Sequence, residues 1–180
     1  MKILVTNNTL GNMPGGSEWH AHELALAIQR KGHEVHAYTP SVGWFAHSLQ
    51  HKGVKVFSYA PEGDYDLIIA SHLSTINSID RNKTRGKMIQ VCHGKFPALE
   101  QPSSKVDYHV SISEEVQDHL KDKGFESSVI YNGVDHDKFQ DKGEGEGVLS
   151  LCQGNLANNL IEKACKIIGV KMTQMNKFKT

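Results

Sequence analysis

The first forty residues constrain the fold most, because they read as a strand, a glycine-containing loop, a helix and a second strand. Strands are predicted at Lys2–Thr6 and at 34–39, from short apolar runs. Between them, four apolar residues recur at i, i+3, i+4 and i+7 and therefore share one face of a helix: Ala21, Leu24, Ala25 and Ile28. This β-loop-α-β unit is typical of proteins built on a parallel sheet.

The start of this helix is a predicted position for an anionic ligand. Gly15 and Gly16 lie between strand end and helix start, where backbone N–H groups and the helix dipole favour negative charge. Ser17 stands where an N-cap residue belongs, and Gly32 follows the last turn as a helix stop. The alternative is that the glycines only turn the chain, but two adjacent glycines at a strand-to-helix crevice favour ligand contact.

Strands and helices continue to alternate along the chain. Further strands are predicted at 54–59, 66–70, 87–92, 108–112 and 127–131, and helices at 44–52 and 113–123. Gly53 and Gly124 follow these two helices at the position where a helix commonly ends. The alternation predicts an α/β fold with a doubly wound parallel sheet, whose ligands bind beyond the carboxyl ends of the strands.

The composition changes near residue 141. Residues 141–147 are charged and rich in glycine, which predicts a linker between a first domain, 1–140, and a second segment, 148–180. The second segment restarts the strand-helix-strand pattern, with a helix at 158–168 whose apolar face is formed by Leu160, Ile161, Ala164 and Ile168. We expect it to be the truncated beginning of a second domain, unable to fold by itself.

Composition excludes several classes of protein. The 180-residue chain has zero formal net charge and a pI near 7.2, so nothing indicates a nucleic-acid partner. The longest apolar run near the N-terminus is Ile3-Leu4-Val5, too short for a signal peptide, and no stretch is long enough to span a membrane. Three cysteines without a CxxC pair favour unpaired thiols and a cytoplasmic location.

Common catalytic and cofactor motifs are missing from the sequence. The loop lacks both GxGxxG and a P-loop, and the second strand ends without the acidic residue that binds the ribose of NAD. Neither a paired-carboxylate spacing, nor a Gly-x-Ser-x-Gly elbow, nor a zinc-ligand cluster is present. We therefore expect neither a metal nor a bound cofactor.

Four segments in order resemble a known family. Residues 14–27 with 30–35 resemble the opening of GT-B-fold retaining glycosyltransferases, the large family-4-like group 1 enzymes. The strand ending in His93 and Gly94, the strand-Ser-Glu element at 110–114 and the IxNGVD-like segment at 129–135 follow in the family's order and spacing. The resemblance extends over about residues 1–175 and implies a Rossmann-like N-terminal half of a GT-B fold plus a stub of the second domain.

The resemblance also implies an activity and a site. It implies transfer of a sugar from a nucleotide-sugar donor, as co-substrate, to an acceptor hydroxyl with retention, on a saccharide or lipid-linked acceptor. His93 would be the catalytic-site residue that bonds the transferred sugar, and Gly15 and Gly16 would contact the donor phosphate or sugar. Asn132, Glu114 and Ser17 would line the cleft. Because the donor side belongs mostly to a second domain, we expect the 180-residue chain alone to be inactive.

Two alternatives to this function remain at this stage. One is a non-catalytic module that binds a saccharide or a partner protein, and the other is a different Rossmann-like sugar-nucleotide enzyme.

A basic segment precedes the strand at 87–92. Arg81, Lys83, Arg85 and Lys87 place four cations within seven residues. A solvated connection is the simpler interpretation. The alternative is peripheral contact with the inner face of the membrane, where related enzymes work on lipid carriers.

Overall fold

The computed structural model describes residues 1–12, 15–133, 148–150 and 155–174. Contacts divide the chain into a first unit, Met1–Gly133, and a second unit, Val134–Thr180, and each is described by itself. The predicted linker at 141–147 lies outside the described residues, so the predicted domain limits stay a prediction.

The first unit alternates strands and helices. Its strands are β1 (Lys2–Thr6), β2 (Thr9–Leu10), β3 (Glu34–Tyr38), β4 (Ser41–Val42), β5 (Lys55–Phe57), β6 (Gly63–Ala70), β7 (Thr84–Cys92), β8 (Tyr108–Ser111) and β9 (Ser128–Val129). Its helices are α1 (Gly16–Arg30), α2 (Trp44–His51), α3 (Leu73–Ser78) and α4 (Glu114–Asp122), with a 3₁₀ turn, η1, at Ala98–Glu100.

Seven strands form one parallel sheet in the order β5-β3-β1-β6-β7-β8-β9. The chain moves outward from β1 in one direction through β3 and β5, and then returns to the other side of β1 through β6. The predicted doubly wound parallel sheet is therefore confirmed. Its topological switch point lies between β1 and β6, where ligands of such sheets bind at the carboxyl edge.

Strand β1 serves two hydrophobic cores, because its side chains alternate between the two faces of the sheet. Ile3 and Val5 belong to the core that includes Phe45 of α2, whereas Leu4 belongs to the core that includes Ile76 of α3. All of these residues are buried, so the sheet is covered on both faces. Continuous apolar strands of this kind are what burial on both faces requires.

The helix stops are confirmed and one helix start is corrected. Gly32, Gly53 and Gly124 adopt φ values of 83, 85 and 81°, a backbone region that favours glycine after a helix. Helix α1, however, begins at Gly16 with Gly15 as N-cap, so the predicted N-cap role of Ser17 is wrong. The Ser17 hydroxyl donates to the Glu18 carboxylate at 3.0 Å instead of accepting a backbone N–H.

The second unit contains β10 (Val148–Ser150), α5 (Asn155–Ile168) and β11 (Met172–Gln174), with β10 and β11 parallel. Of the four residues predicted to form the apolar face of its helix, three are exposed and Ile161 is partly buried. Leu160 and Ile168 are 60% and 67% exposed, whereas Asn158 and Cys165, seven residues apart, are buried. Within the described residues, the buried positions of α5 therefore carry a polar and a thiol side chain, and the apolar stripe stays uncovered.

A bulge between β6 and β7 gives a test of the sheet geometry. The register shifts between Asp64 and Leu67, and the carbonyl of Tyr65 approaches Gly86 so closely that a Cβ there would overlap it. Gly86→Ala should therefore lower the free energy of unfolding by about 1–3 kcal/mol more than Gly63→Ala, measured by urea denaturation. Gly63 is the matched control, since its φ is 129° against 141°, yet its Cβ would meet no described residue within 4 Å. Equal losses would contradict the argument.

Candidate functional site

Polar side chains gather at the carboxyl edge of the sheet, on both sides of the switch point. Asn7 and Asn8 follow β1, His72 follows β6, and His93 follows β7. The Asn8 N–H donates to Nδ1 of His72 at 3.3 Å, which joins the loops after β1 and β6. The predicted His93 therefore lies one strand away from the position where ligands of such sheets bind.

Glu100 joins two of these histidines. One carboxylate oxygen pairs with Nε2 of His72 at 3.1 Å, and the other accepts the backbone N–H of His93 at 3.0 Å. Because Nδ1 of His72 accepts from Asn8, its Nε2 is the protonated nitrogen that donates to Glu100. The 3₁₀ turn η1 brings this carboxylate, which is buried, back to the sheet edge.

The electrostatics of Glu100 follow from these contacts. Burial by itself would raise the pKa of the carboxyl group, because it disfavours the charged form. The hydrogen bonds from His72 and from the His93 N–H outweigh that effect, so the pKa of Glu100 is lowered. The cluster therefore holds a buried carboxylate that stays ionised at neutral pH.

His93 meets a second histidine from α1. The rings of His20 and His93 lie 4.8 Å apart between centroids, at an interplanar angle of 72°. Nδ1 of His20 and Nε2 of His93 are both buried, and neither has a hydrogen-bond partner among the described residues. Two histidine rings, each with one buried nitrogen that has no described partner, are thus in contact at the edge of the sheet.

Both rings are neutral at pH 7. The pKa of His93 is lowered to about 4, mainly because burial disfavours the charged ring, with a further lowering from the neighbouring His20. Burial also lowers the pKa of His20. A neutral imidazole carries one donor and one acceptor nitrogen, so the pair suits hydroxyl groups.

The two glycines of the loop differ in their surroundings. Neither has a positive φ, so an ordinary residue could adopt the backbone, and turning the chain does not explain them. A Cβ on Gly15 would overlap the carboxylate of Glu18, whereas a Cβ on Gly16 would meet no described residue within 4 Å. As far as the described residues show, the first turn of α1 is therefore open beside Gly16, and Gly15 leaves room for Glu18.

Asn7 ties this helix to the sheet. Its side-chain amide donates to the carbonyl of Ser17 at 2.7 Å, and its Oδ1 accepts the N–H of Thr9 at 3.3 Å. Asn7 is fully buried. Ser17 is thus anchored at the site through its main chain, and its predicted role in lining the cleft stays a prediction.

Glu114 and Asn132 lie on other elements. Glu114, the first residue of α4, accepts a hydrogen bond from the hydroxyl of Tyr131. Tyr131 and Asn132 are exposed, after β9. The neighbouring Glu115 pairs with Lys95, which links α4 to the loop after His93. Neither Glu114 nor Asn132 is part of the histidine cluster as described, and their cleft-lining roles stay predictions.

The four cations at 81–87 are each paired with a carboxylate. Lys83 lies 2.8 Å from Glu62, Arg85 binds Asp64 through two nitrogens at 2.6 and 3.0 Å, and Arg81 and Lys87 approach Asp107 at 3.4 and 3.3 Å. These pairs are largely exposed and contribute little stability. They balance much of the local positive charge, which favours the solvated connection; membrane contact stays a prediction.

The described cysteines give no candidate reactive site. Cys92 and Cys165 are unpaired and buried, and burial raises the pKa of the Cys92 thiol to about 12, so it is an unreactive packed residue. Among the described residues, neither a metal-ligand cluster of three or more side chains nor a helix able to cross a membrane is found.

Three members of the cluster were absent from the sequence prediction. His72 follows strand β6 by two residues, so its position at the carboxyl edge was a signal that could have found it. Glu100 reaches the site only through the 3₁₀ turn, and His20 only through the contact of its ring with His93. No local pattern predicts those two contacts.

Comparison with known proteins gives a structural relationship only. No protein-family model and no curated protein matches the chain. Three crystal structures of Anabaena Alr3699/HepE resemble it, in complex with UDP, with UDP-glucose, and with UDP and glucose. Their TM-scores are 0.58, 0.60 and 0.60, their sequence identities are 16, 16 and 17%, and each covers 94% of this chain.

At this level of identity the likeness establishes the fold. The chain spans 50% of the length of those structures. The Rossmann-like half expected from the family resemblance is confirmed by the sheet order and by this structural match.

The buried histidines give a pH test. His93 has a folded pKa below its ordinary 6.5, so the unfolded chain binds the proton first as the pH falls. Stability should therefore decrease from pH 6.5 down to about 4, and His93→Phe should make this decrease shallower. Urea denaturation at a series of pH values measures the slopes, with exposed His51→Phe as the control. A variant slope equal to that of the wild type would contradict the assignment.

Proposed function

We propose that the first unit is the acceptor-side half of a nucleotide-sugar-dependent glycosyltransferase. The observation that carries this proposal is a pair of buried imidazole nitrogens at the carboxyl edge of a doubly wound sheet, neither of which has a partner among the described residues. The same fold is found in structures that hold UDP and UDP-glucose, which supports a uridine nucleotide sugar as the donor. The family resemblance of residues 14–35, 89–94, 110–114 and 129–135 supports it independently.

In this proposal the backbone of α1 receives the donor diphosphate. The first turn is open beside Gly16, and the helix dipole places partial positive charge there. When the bond between sugar C1 and the diphosphate oxygen breaks, negative charge develops on the leaving diphosphate. N–H groups that already point at it stabilise that charge without reorganisation.

His93 binds the transferred sugar in this proposal. Its ring is neutral, and Glu100 holds the His93 backbone without using either ring nitrogen. The imidazole can therefore exchange a hydrogen bond with a sugar hydroxyl while C1 bonds to the acceptor oxygen, whose proton passes to the departing diphosphate. The proposed outcome is retention of configuration at C1, on a saccharide or lipid-linked acceptor, and without a required metal.

The two alternatives gain no specific support. Strand β3 ends at Tyr38, followed by Thr39, whose hydroxyl donates to the carbonyl of Ser41 at 3.0 Å. This edge thus lacks a carboxylate for the ribose of NAD. The two buried ring nitrogens without described partners would serve a non-catalytic saccharide-binding module as well, so they do not favour that alternative over the transferase.

A donor screen by calorimetry tests the proposal. UDP-, GDP- and ADP-sugars and NAD are titrated into the 180-residue chain, and product release is followed in parallel. We expect weak binding of one nucleotide sugar without turnover, because catalytic positioning requires an opposing wall. Tight NAD binding, or no nucleotide-sugar binding up to millimolar concentration, would contradict the proposal. Turnover by this chain alone would contradict the half-site interpretation.

Gly16→Ala separates ligand binding from folding. The added methyl group meets no described residue and lies in a helix, so the free energy of unfolding should be unchanged or raised by up to about 1 kcal/mol. The same methyl group would stand where the diphosphate approaches, so UDP affinity should fall several-fold in calorimetry. Leu24→Ala, on the same helix but remote from its first turn, controls for general perturbation of α1. Unchanged UDP affinity in Gly16→Ala would remove the glycine from the site.

A further inference from the structure

Of the residues gathered at the carboxyl edge, His20, His72, His93 and Glu100, His20 has no role in the proposed function. It is the fifth residue of α1, and its ring packs edge-to-face against His93. Its Nδ1 is buried and unpartnered among the described residues, like Nε2 of His93. These are the two such side-chain atoms within the described part of the chain, and they belong to rings in mutual contact.

Two other histidines, one buried and one partly buried, have a structural role in which both ring nitrogens are occupied. His72 has both nitrogens occupied, by Asn8 and Glu100. His36 has both occupied as well, by the Tyr65 hydroxyl at 3.0 Å and by Glu34 at 3.1 Å. His20 differs from both, since a buried nitrogen without a partner is unfavourable in the ligand-free protein.

We propose that His20 is a second sugar-contacting residue, and that Nδ1 of His20 and Nε2 of His93 together bind hydroxyl groups of the hexose. This inference rests on the proposed function and extends it from one histidine to a pair. A sugar hydroxyl both donates and accepts, so one hydroxyl, or two neighbouring ones, can satisfy both rings. The pair therefore binds the hexose part of the donor and does not contact the nucleotide part.

Neutral rings suit this task. Burial lowers the pKa of both histidines, and His20 lowers the pKa of His93 further. A charged pair would favour phosphate, whereas a neutral pair favours hydroxyl groups. The diphosphate is then left to the first turn of α1, one helical turn before His20.

The test compares UDP-glucose with UDP on His20→Phe in the 180-residue chain. Phenylalanine keeps a ring against His93 but removes the nitrogen. UDP-glucose affinity, measured by ligand-observed NMR titration, should fall about fivefold to tenfold, the effect of one lost hydrogen bond. UDP affinity should stay within twofold of the wild type. Ring-nitrogen NMR of the wild type should show both His20 and His93 shifting with UDP-glucose.

His36→Phe is the matched control. It removes another partly buried histidine, one whose two ring nitrogens are partnered, so the melting temperature should fall while affinity for UDP-glucose is kept. His20→Phe should show the reverse, with the melting temperature kept or raised and affinity reduced. This crossed result separates a binding role from a packing role.

The outcomes distinguish the two proposals. If UDP-glucose binds and shifts His93 but leaves His20→Phe at wild-type affinity, the inference about His20 is overturned and the proposed function stands. An equal loss for UDP and UDP-glucose would also overturn it, because the hexose would not be what His20 contacts. If neither ligand binds the wild-type chain, the proposed function itself fails, and the inference fails with it.

Discussion

The pairing of β1 along both of its edges determines where the site lies. β1 aligns with β3 on one side and with β6 on the other, in parallel register over four to five residues on each side. Its alternating side chains fill two separate cores, so it cannot shift by one residue without emptying both. The helices that follow β1 and β6, α1 and α3, pack into two different cores on opposite faces of the sheet. In sheets of this kind, such a change of face between neighbouring strands marks the ligand position at the carboxyl edge.

One buried carboxylate then organises that edge. Glu100 must be compensated for its lost hydration, and it obtains compensation from the His72 ring and from the His93 N–H. The consequence for function is indirect but specific. His93 is held in place through its main chain, so neither of its ring nitrogens is consumed by the support. If Glu100 had instead bonded the imidazole of His93, it would have occupied a nitrogen that the proposed ligand needs.

Sequence patterns predicted the fold well, because parallel strands, apolar helix faces and glycine stops are local signals. The failures have local causes too. Ser17 was predicted as the N-cap, but the N-cap is Gly15, two residues earlier, and the Ser17 hydroxyl donates to Glu18 instead. α3 has only six residues, too few for a periodic signal. In the site, His93 was predictable because it directly follows a strand, whereas the contacts of His20 and Glu100 arise only when distant segments pack.

Buried polar groups in the core and in the candidate site differ in whether they have hydrogen-bond partners. Gln90 is fully buried, and both ends of its amide are satisfied, by the Gln101 carbonyl and the Ser103 N–H at 2.8 Å each. An unsatisfied buried group costs about 1–3 kcal/mol, a sizeable fraction of the net stability of a domain. The example of Gln90 shows that this fold can supply hydrogen-bond partners to a fully buried polar side chain. That it leaves the nitrogens of His20 and His93 without described partners, side by side and at the ligand edge, is consistent with a surface shaped for a bound hydroxyl compound instead of for maximal stability of the empty domain.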